Sequence, residues 1–156
     1  MAASCRFAFA VHILAVLARR REDGSGVCSE ALAESVNTNP VVIRRLLSQL
    51  RKAGIVKTRQ GASGGAVLAE KPAAISLDTV YRAVELAPSF GLHRNQPNRR
   101  CPVGAGIEEV LADVFGSAHA ALEKALANRN LQTVLDAMAG SKPERRPRLR
   151  KTARVI

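Results

Sequence analysis

NPVVIRRLLSQLRKAG, residues 39–54, encodes a helix whose two faces carry opposite chemistry. Asn39 can accept from the first free amides, Pro40 suits the first helical position, and Gly54 can close the helix in a left-handed cap. Between these signals Ile43, Leu46, Leu47 and Leu50 fall at i, i+3, i+4 and i+7, which predicts one apolar stripe from Pro40 to Ala53. Arg44, Arg45, Ser48, Gln49, Arg51 and Lys52 take the remaining faces. In most proteins such a basic face is only solvated surface. What flanks it decides the matter.

On the N-terminal side, Ser29 to Val36 predicts a short helix with Ser29 as its N-cap, and Asn37-Thr38-Asn39 predicts a turn. Further back, Phe7, Val11, Leu14 and Ala18 recur at i, i+4, i+7 and i+11, so residues 4–21 predict a first helix, broken by Glu22-Asp23-Gly24-Ser25-Gly26. On the C-terminal side, Ile55-Val56-Lys57-Thr58 and Ala66-Val67-Leu68-Ala69 read as two strands joined by a turn containing Gly61, Gly64 and Gly65. Three helices followed by a hairpin is the order of a winged helix-turn-helix, with its wing tip at Arg59 to Gly65.

Pro72 separates this unit from a helix expected over Ser76 to about Leu86. A polar linker, Ala87 to Pro102, carries Pro88, Pro97, Arg94, Arg99 and Arg100. A long helix should follow from about Pro102 to Ala127. Its Leu111, Phe115, Ala118, Leu122 and Ala125 step by 4, 3, 4 and 3, the spacing of a coiled-coil seam, although one hydrophobic stripe also suits packing within the chain. Leu131 to Met138 predicts a last short helix. The fold class expected is mainly α: a winged helix-turn-helix with a two-stranded wing plus a long C-terminal dimerisation helix. The partition is a DNA-binding domain at 1–86, a linker and candidate sensor loop at 87–102, dimerisation helices at 103–139 and a basic tail at 140–156.

The 156 residues are 47% hydrophobic but 3% aromatic, so aliphatic side chains must build the core. That composition excludes a disordered chain and a stacking platform for single-stranded nucleic acid. Lys and Arg number 24 against 13 acidic residues, a net charge of +11 that calls for a polyanionic partner. Lys142, Arg145, Arg146, Arg148, Arg150, Lys151 and Arg154 place about half of the excess in the tail, where it serves as an auxiliary phosphate contact or as an idle end. The body is basic on its own account. The apolar run from Phe7 to Ala18 lacks a cleavage site and is too short to span a bilayer, so no membrane partner and a cytoplasmic location are expected.

A helix-turn-helix reads base edges from the N-terminal part of its second helix. The expected base-edge contacts to double-stranded DNA are therefore Thr38, Asn39, Val41, Val42, Arg44 and Arg45, with Ser29, Pro40 and Gln49 as further expected DNA contacts. Arginine can fork onto guanine, and a valine can touch a thymine methyl. Lys52, Lys57 and Arg59 suit phosphates or a neighbouring minor groove, and Gly61, Ser63, Gly64 and Gly65 allow close approach of the wing backbone.

Residues 39–47 and 50–56, the wing Arg59-Gln60-Gly61-Ala62-Ser63-Gly64-Gly65 and the opening Arg6-Phe7-Ala8-Phe9-Ala10-Val11-His12 resemble the Rrf2 family of bacterial transcriptional regulators, over about Arg6 to Leu126. Ala62-Ser63 departs from the Gly-Pro-Gly-Gly type of turn usual in that wing. The resemblance implies a homodimer held by the long helix, with two winged modules on a palindromic operator. Several members carry an iron–sulfur cluster on three cysteines of the linker. Here the linker holds Cys101 alone, with Cys5 and Cys28 in the other half of the chain, so the cluster-free branch is implied and no cofactor or metal is expected. A cluster shared between two copies is the route that stays open. Cys101, before Pro102 and beside Arg99 and Arg100, is a candidate redox sensor if those neighbours favour its thiolate, and otherwise a small N-cap residue. His12 is expected in the core or an interface, and His119 at the surface or a dimer contact. His93 near Cys101 makes at most a two-ligand pair.

No P-loop, dinucleotide, metalloprotease or Ser/His/Asp pattern is present, so an enzyme is not expected. A DNA-binding regulator, more a repressor than an activator and under the control of a thiol or small effector, accounts for most of these features. An RNA- or ribosome-associated winged module and a protein-interaction adaptor are the alternatives.

Overall fold

The computed structural model describes residues 4–20, 25–61, 64–85 and 90–140. The 22–24 break, Ala62 and Ser63 of the wing, the linker start at 86–89 and the tail from 141 lie outside them. The elements are α1 (Arg6–Arg19), α2 (Ser29–Val36), α3 (Pro40–Lys52), β1 (Val56–Arg59), β2 (Gly65–Leu68), a 3-10 turn (Pro72–Ala74), α4 (Leu77–Val84), α5 (Pro102–Ala127) and α6 (Leu131–Gly140). Mainly helical with a two-stranded antiparallel sheet, this is the winged helix-turn-helix that the sequence predicts.

Helix ends are set by backbone satisfaction. Asn39 Oδ1 accepts from the Val41 amide at 2.8 Å, capping α3 as its sequence requires. At the other end Gly54 adopts φ +73°, its amide donates to the Arg51 carbonyl, and the Ile55 amide donates to the Leu50 carbonyl. Ile55 is thereby spent on closing α3, and the strand begins one residue later than its apolar run implies. Asn37, at φ 56°, closes α2 in the same way, with Thr38 N–H donating to Ala33 O and Asn37 N–H to Glu34 O. One correction falls at the start of α2: the N-cap is Cys28, and Ser29 is the first helical residue.

The core gathers Ile13 and Leu14 of α1, Leu32 of α2, Ile43, Leu46 and Leu50 of α3, and Val80 and Val84 of α4, all sealed from solvent or nearly so. Leu47, expected in the same stripe, is half-buried at its edge. Of the two places expected for His12, the core is ruled out: it is exposed and its Nε2 sits 3.1 Å from Ser35 Oγ.

Sequence alone groups the last helix with α5, but the structure packs it into the winged module. Leu131 is fully buried in the same core. The Leu131 amide donates to the Ile75 carbonyl at 2.9 Å, and the Leu77 amide donates to the Arg129 carbonyl at 3.0 Å. This two-rung bridge joins the turn before α4 to the turn after α5. Nothing in the periodicity of residues 131–138 announces a partner so distant in sequence.

By contrast α5 has no buried residue. One flank is tied to α4 by a chain of polar contacts: Asp78 to Arg82 at 2.9 Å, Arg82 to Glu123 at 3.2 Å, and Glu123 to His119 at 3.4 Å. The His119 ring also tilts against Tyr81, so this histidine works within the chain. Phe115 stacks on Phe90 at 5.3 Å. Leu111, Ala118 and Leu122 are half-covered and Ala125 is exposed. The bare apolar positions form a neighbouring row, Val103, Val110 and Val114, at 68%, 60% and 52% exposure.

If Leu131 completes the core as described, Leu131→Ala should cost about 2–5 kcal/mol. Urea unfolding followed by far-ultraviolet circular dichroism measures it. An unchanged midpoint would mean that α6 is an appendage.

A candidate DNA interface on the third helix and wing

Once Ile43, Leu46 and Leu50 are pinned inward, the helical period turns Val41, Arg45 and Lys52 to the outside, and all three are exposed. Val41 is an apolar side chain left bare at 46% exposure in the first turn of α3. Among the described residues Arg45, Arg51 and Lys52 have no acidic partner. Arg44 does: its Nη2 lies 2.7 Å from Glu30 Oε1 on α2, and its Nε donates to Ser29 Oγ at 3.3 Å. The Arg44 hydrogen bond holds the Glu30 carboxyl below its usual range.

The wing stands beside this face through a contact the sequence does not reveal. Val27, just ahead of α2, pairs with Ala66 of β2: its amide donates to the Ala66 carbonyl at 3.0 Å and its carbonyl accepts from the Ala66 amide at 2.9 Å. Val27 thus adds a one-residue rung on the other edge of β2 in the two-stranded sheet, whose register sets Val56 opposite Leu68 and Arg59 opposite Gly65. Gly65 makes the rung feasible. At φ +143°, with a Cβ position only 2.6 Å from the Val27 carbonyl, it leaves no room for a side chain. The hint was a third glycine in the loop, Gly65, where a two-strand turn needs fewer.

Between α2, α3 and the sheet lies an open cleft of about 250 Å³. Of the expected contact residues, Ser29, Arg44, Lys57 and Gly65 line it together with Ser48, Arg51 and Thr58, which the sequence reading had not singled out. Arg59 and Gly61 sit exposed at the wing tip, Gly64 is half-covered beside them, and Ser63 lies outside the described residues. Asn39 is committed to capping, with Thr38 and Pro40 half-covered around it. Two residues are turned elsewhere. Val42 packs against the core. Gln49 Oε1 accepts from Arg6 Nη2 at 2.7 Å, while Arg6 Nε donates to the Val84 carbonyl, so this amide ties α3 to α1 and α4 on the flank away from the wing. A glutamine on a helix flank carries no sequence signal that separates the two uses.

Cys101 is the N-cap of α5 and is exposed. The Gly104 amide, and after it the Val103 amide, hold its thiol below the ordinary range. The helix terminus, rather than Arg99 or Arg100, favours the thiolate. Cys5 and Cys28 are the N-caps of α1 and α2, so the three thiols open three different helices. Among the described residues no three His, Cys, Asp or Glu side chains converge on a point that could hold a metal ion. No described helix is long and apolar enough to cross a membrane.

A capped helix presenting valine and arginine beside a basic wing defines the class: a winged helix-turn-helix transcriptional regulator. The Rrf2 family profile, described as an iron-dependent transcriptional regulator, matches residues 3–137, and the chain belongs to this family. YwnA of Bacillus subtilis (strain 168), by name a provisional HTH-type transcriptional regulator, is 44% identical over 132 residues, covering 84% of this chain and 95% of its own. The HTH-type transcriptional regulator CymR of the same organism is 30% identical over 102 residues, covering 64% of this chain and 73% of that one. A solved structure of a provisional transcriptional regulator from Lactobacillus plantarum superimposes with a TM-score of 0.75 at 28% identity, over 87% of this chain and 91% of that one. These relatives are regulators and not enzymes. A cluster takes about four ligands, whereas within one copy of the chain the three cysteines open three different helices.

In a Cys5→Ser/Cys28→Ser background, thiolate absorbance should place the Cys101 titration below that of an unstructured thiol. Because folding lowers this pKa, its stabilising contribution is present above the unfolded thiol's pKa and is lost as pH falls through the folded value. A midpoint at or above the ordinary thiol value would refute the amide cradle.

Proposed function

We propose that the chain acts as a homodimer that binds a palindromic DNA operator and represses transcription by occupying it. The observation that carries the reading is the exposed crest of α3, Val41, Arg44, Arg45 and Lys52, set beside Lys57 and Arg59 of the wing. One apolar tip and two guanidinium forks suit base edges in a major groove, while wing cations suit phosphates. The row Val103, Val110 and Val114 on α5 is the surface proposed to meet its counterpart on a second copy, with Leu111, Phe115, Ala118, Leu122 and Ala125 alongside. Two modules related by a two-fold axis then read half-sites about one helical turn apart. The dimer works without a cofactor, and its state is set by a thiol, for which Cys101 at the base of α5 is exposed, or by a small effector.

Three measurements test this. Arg45→Ala should cost about 1–3 kcal/mol of operator affinity if it reads a base, with the loss concentrated at one position of the half-site. In fluorescence anisotropy over a salt series, the wild-type affinity should fall linearly with log salt concentration. Affinity that ignores salt, or an Arg45→Ala chain with an unaltered operator profile, would contradict the interface. Val110→Glu/Val114→Glu should convert the dimer to a folded monomer in sedimentation velocity, with operator binding reduced at least tenfold through loss of the second half-site. A dimer that survives both charges would place the interface elsewhere.

A further inference from the structure

Arg44 differs from the other cations of α3 in being held before any DNA arrives. Nη2 donates to Glu30 Oε1 at 2.7 Å and Nε to Ser29 Oγ at 3.3 Å, while Ser29 Oγ donates to the same carboxylate oxygen at 3.0 Å. The three side chains close a triangle between the first turn of α2 and the second turn of α3. Ser29 and Arg44 line the cleft beside the wing, and both charged partners, Arg44 and Glu30, are exposed. A carboxylate in that place is costly for a protein that binds a polyanion, because it repels phosphates whatever the sequence between them. An unrestrained arginine, with its long flexible stem, would also reach for the nearest phosphate. The triangle engages Nε and one N–H of Nη2. The Nη1 pair and the second Nη2 proton stay available, enough for the end-on fork that matches guanine O6 and N7.

We propose that Glu30 is a positioning residue for sequence discrimination: with Ser29 it holds the Arg44 guanidinium off the phosphates and presents it to a base edge. Sequence-independent attraction is weakened and selectivity is gained, so α2 takes part in recognition without touching a base. The proposal rests on α3 being the recognition helix.

The experiment compares binding to a duplex enriched from a random pool by the wild-type protein with binding to its scrambled counterpart, for wild type, Glu30→Ala, Arg44→Ala and the double variant. Glu30→Ala should bind the scrambled duplex several-fold more tightly and narrow the selected-to-scrambled ratio about tenfold, relaxing the same base position that Arg44→Ala relaxes. In the Arg44→Ala background, removing Glu30 should leave the ratio unchanged. Because Glu30 is exposed, the variant should keep the wild-type circular dichroism spectrum, and Glu30→Gln replaces it if the alanine chain fails to fold. An unchanged ratio in Glu30→Ala overturns the proposal, as does a ratio that falls equally with and without Arg44, which would be a field effect of the lost charge. A wild-type protein that enriches no sequence defeats the reading of α3 itself, a result separate from either.

Discussion

Burial of Ile43, Leu46 and Leu50 is the interaction on which the rest of the molecule depends. Three side chains spaced over two turns, each 1% exposed or less, fix the rotation of α3 about its own axis. Burial of each contributes about 1.5–3 kcal/mol relative to exposure, so together they exceed anything the surface cations could gain by turning the helix. A helix so pinned has no freedom over what it shows. Val41, Arg45 and Lys52 are outside because Ile43, Leu46 and Leu50 are inside, and the same side chains that stabilise the fold aim the chemistry.

The wing is positioned by a different kind of force. A hairpin of two four-residue strands is marginal in isolation, and β1 is buried only at Val56. Backbone pairing of Val27 with Ala66 supplies what the hairpin lacks and couples the wing to the start of α2. The start of α2 also provides Ser29 and Glu30 to Arg44. Segment 27–30 therefore joins three elements that are scattered along the chain: the sheet, α2 and α3. Opposite the cleft, Arg6 joins the same α3 to the end of α4 through Gln49 and the Val84 carbonyl.

Much of this was legible in the residue order. The limits of α3 follow from Asn39, Pro40 and Gly54, each doing locally what its chemistry requires, and the long helix begins and ends where Pro102 and Ala127 place it. Local signals of this kind act within a turn or two, so no distant partner can overrule them cheaply. The site was less legible. Val42 and Gln49 lie on the helix flank, where a shift of one residue's angle separates groove from core, and that angle is set by α1 and α4. Ser48 and Arg51 share the cleft with Thr58 of β1 because the wing packs beside α3, which no spacing along α3 encodes. His12 is exposed and Leu131 buried for the same reason.

The sequence by itself determined the identity and order of the elements, the family and the excess of positive charge, because periodicity, capping and composition are properties of neighbouring residues. Tertiary structure decided the partners: Val27 with β2, α6 with the core, Glu30 with Arg44, and which row of α5 is left bare. These contacts join residues from fourteen to more than a hundred positions apart, and their geometry exists only after the core has closed. A carboxylate at position 30 reads as one more solvated charge until the fold brings an arginine to it.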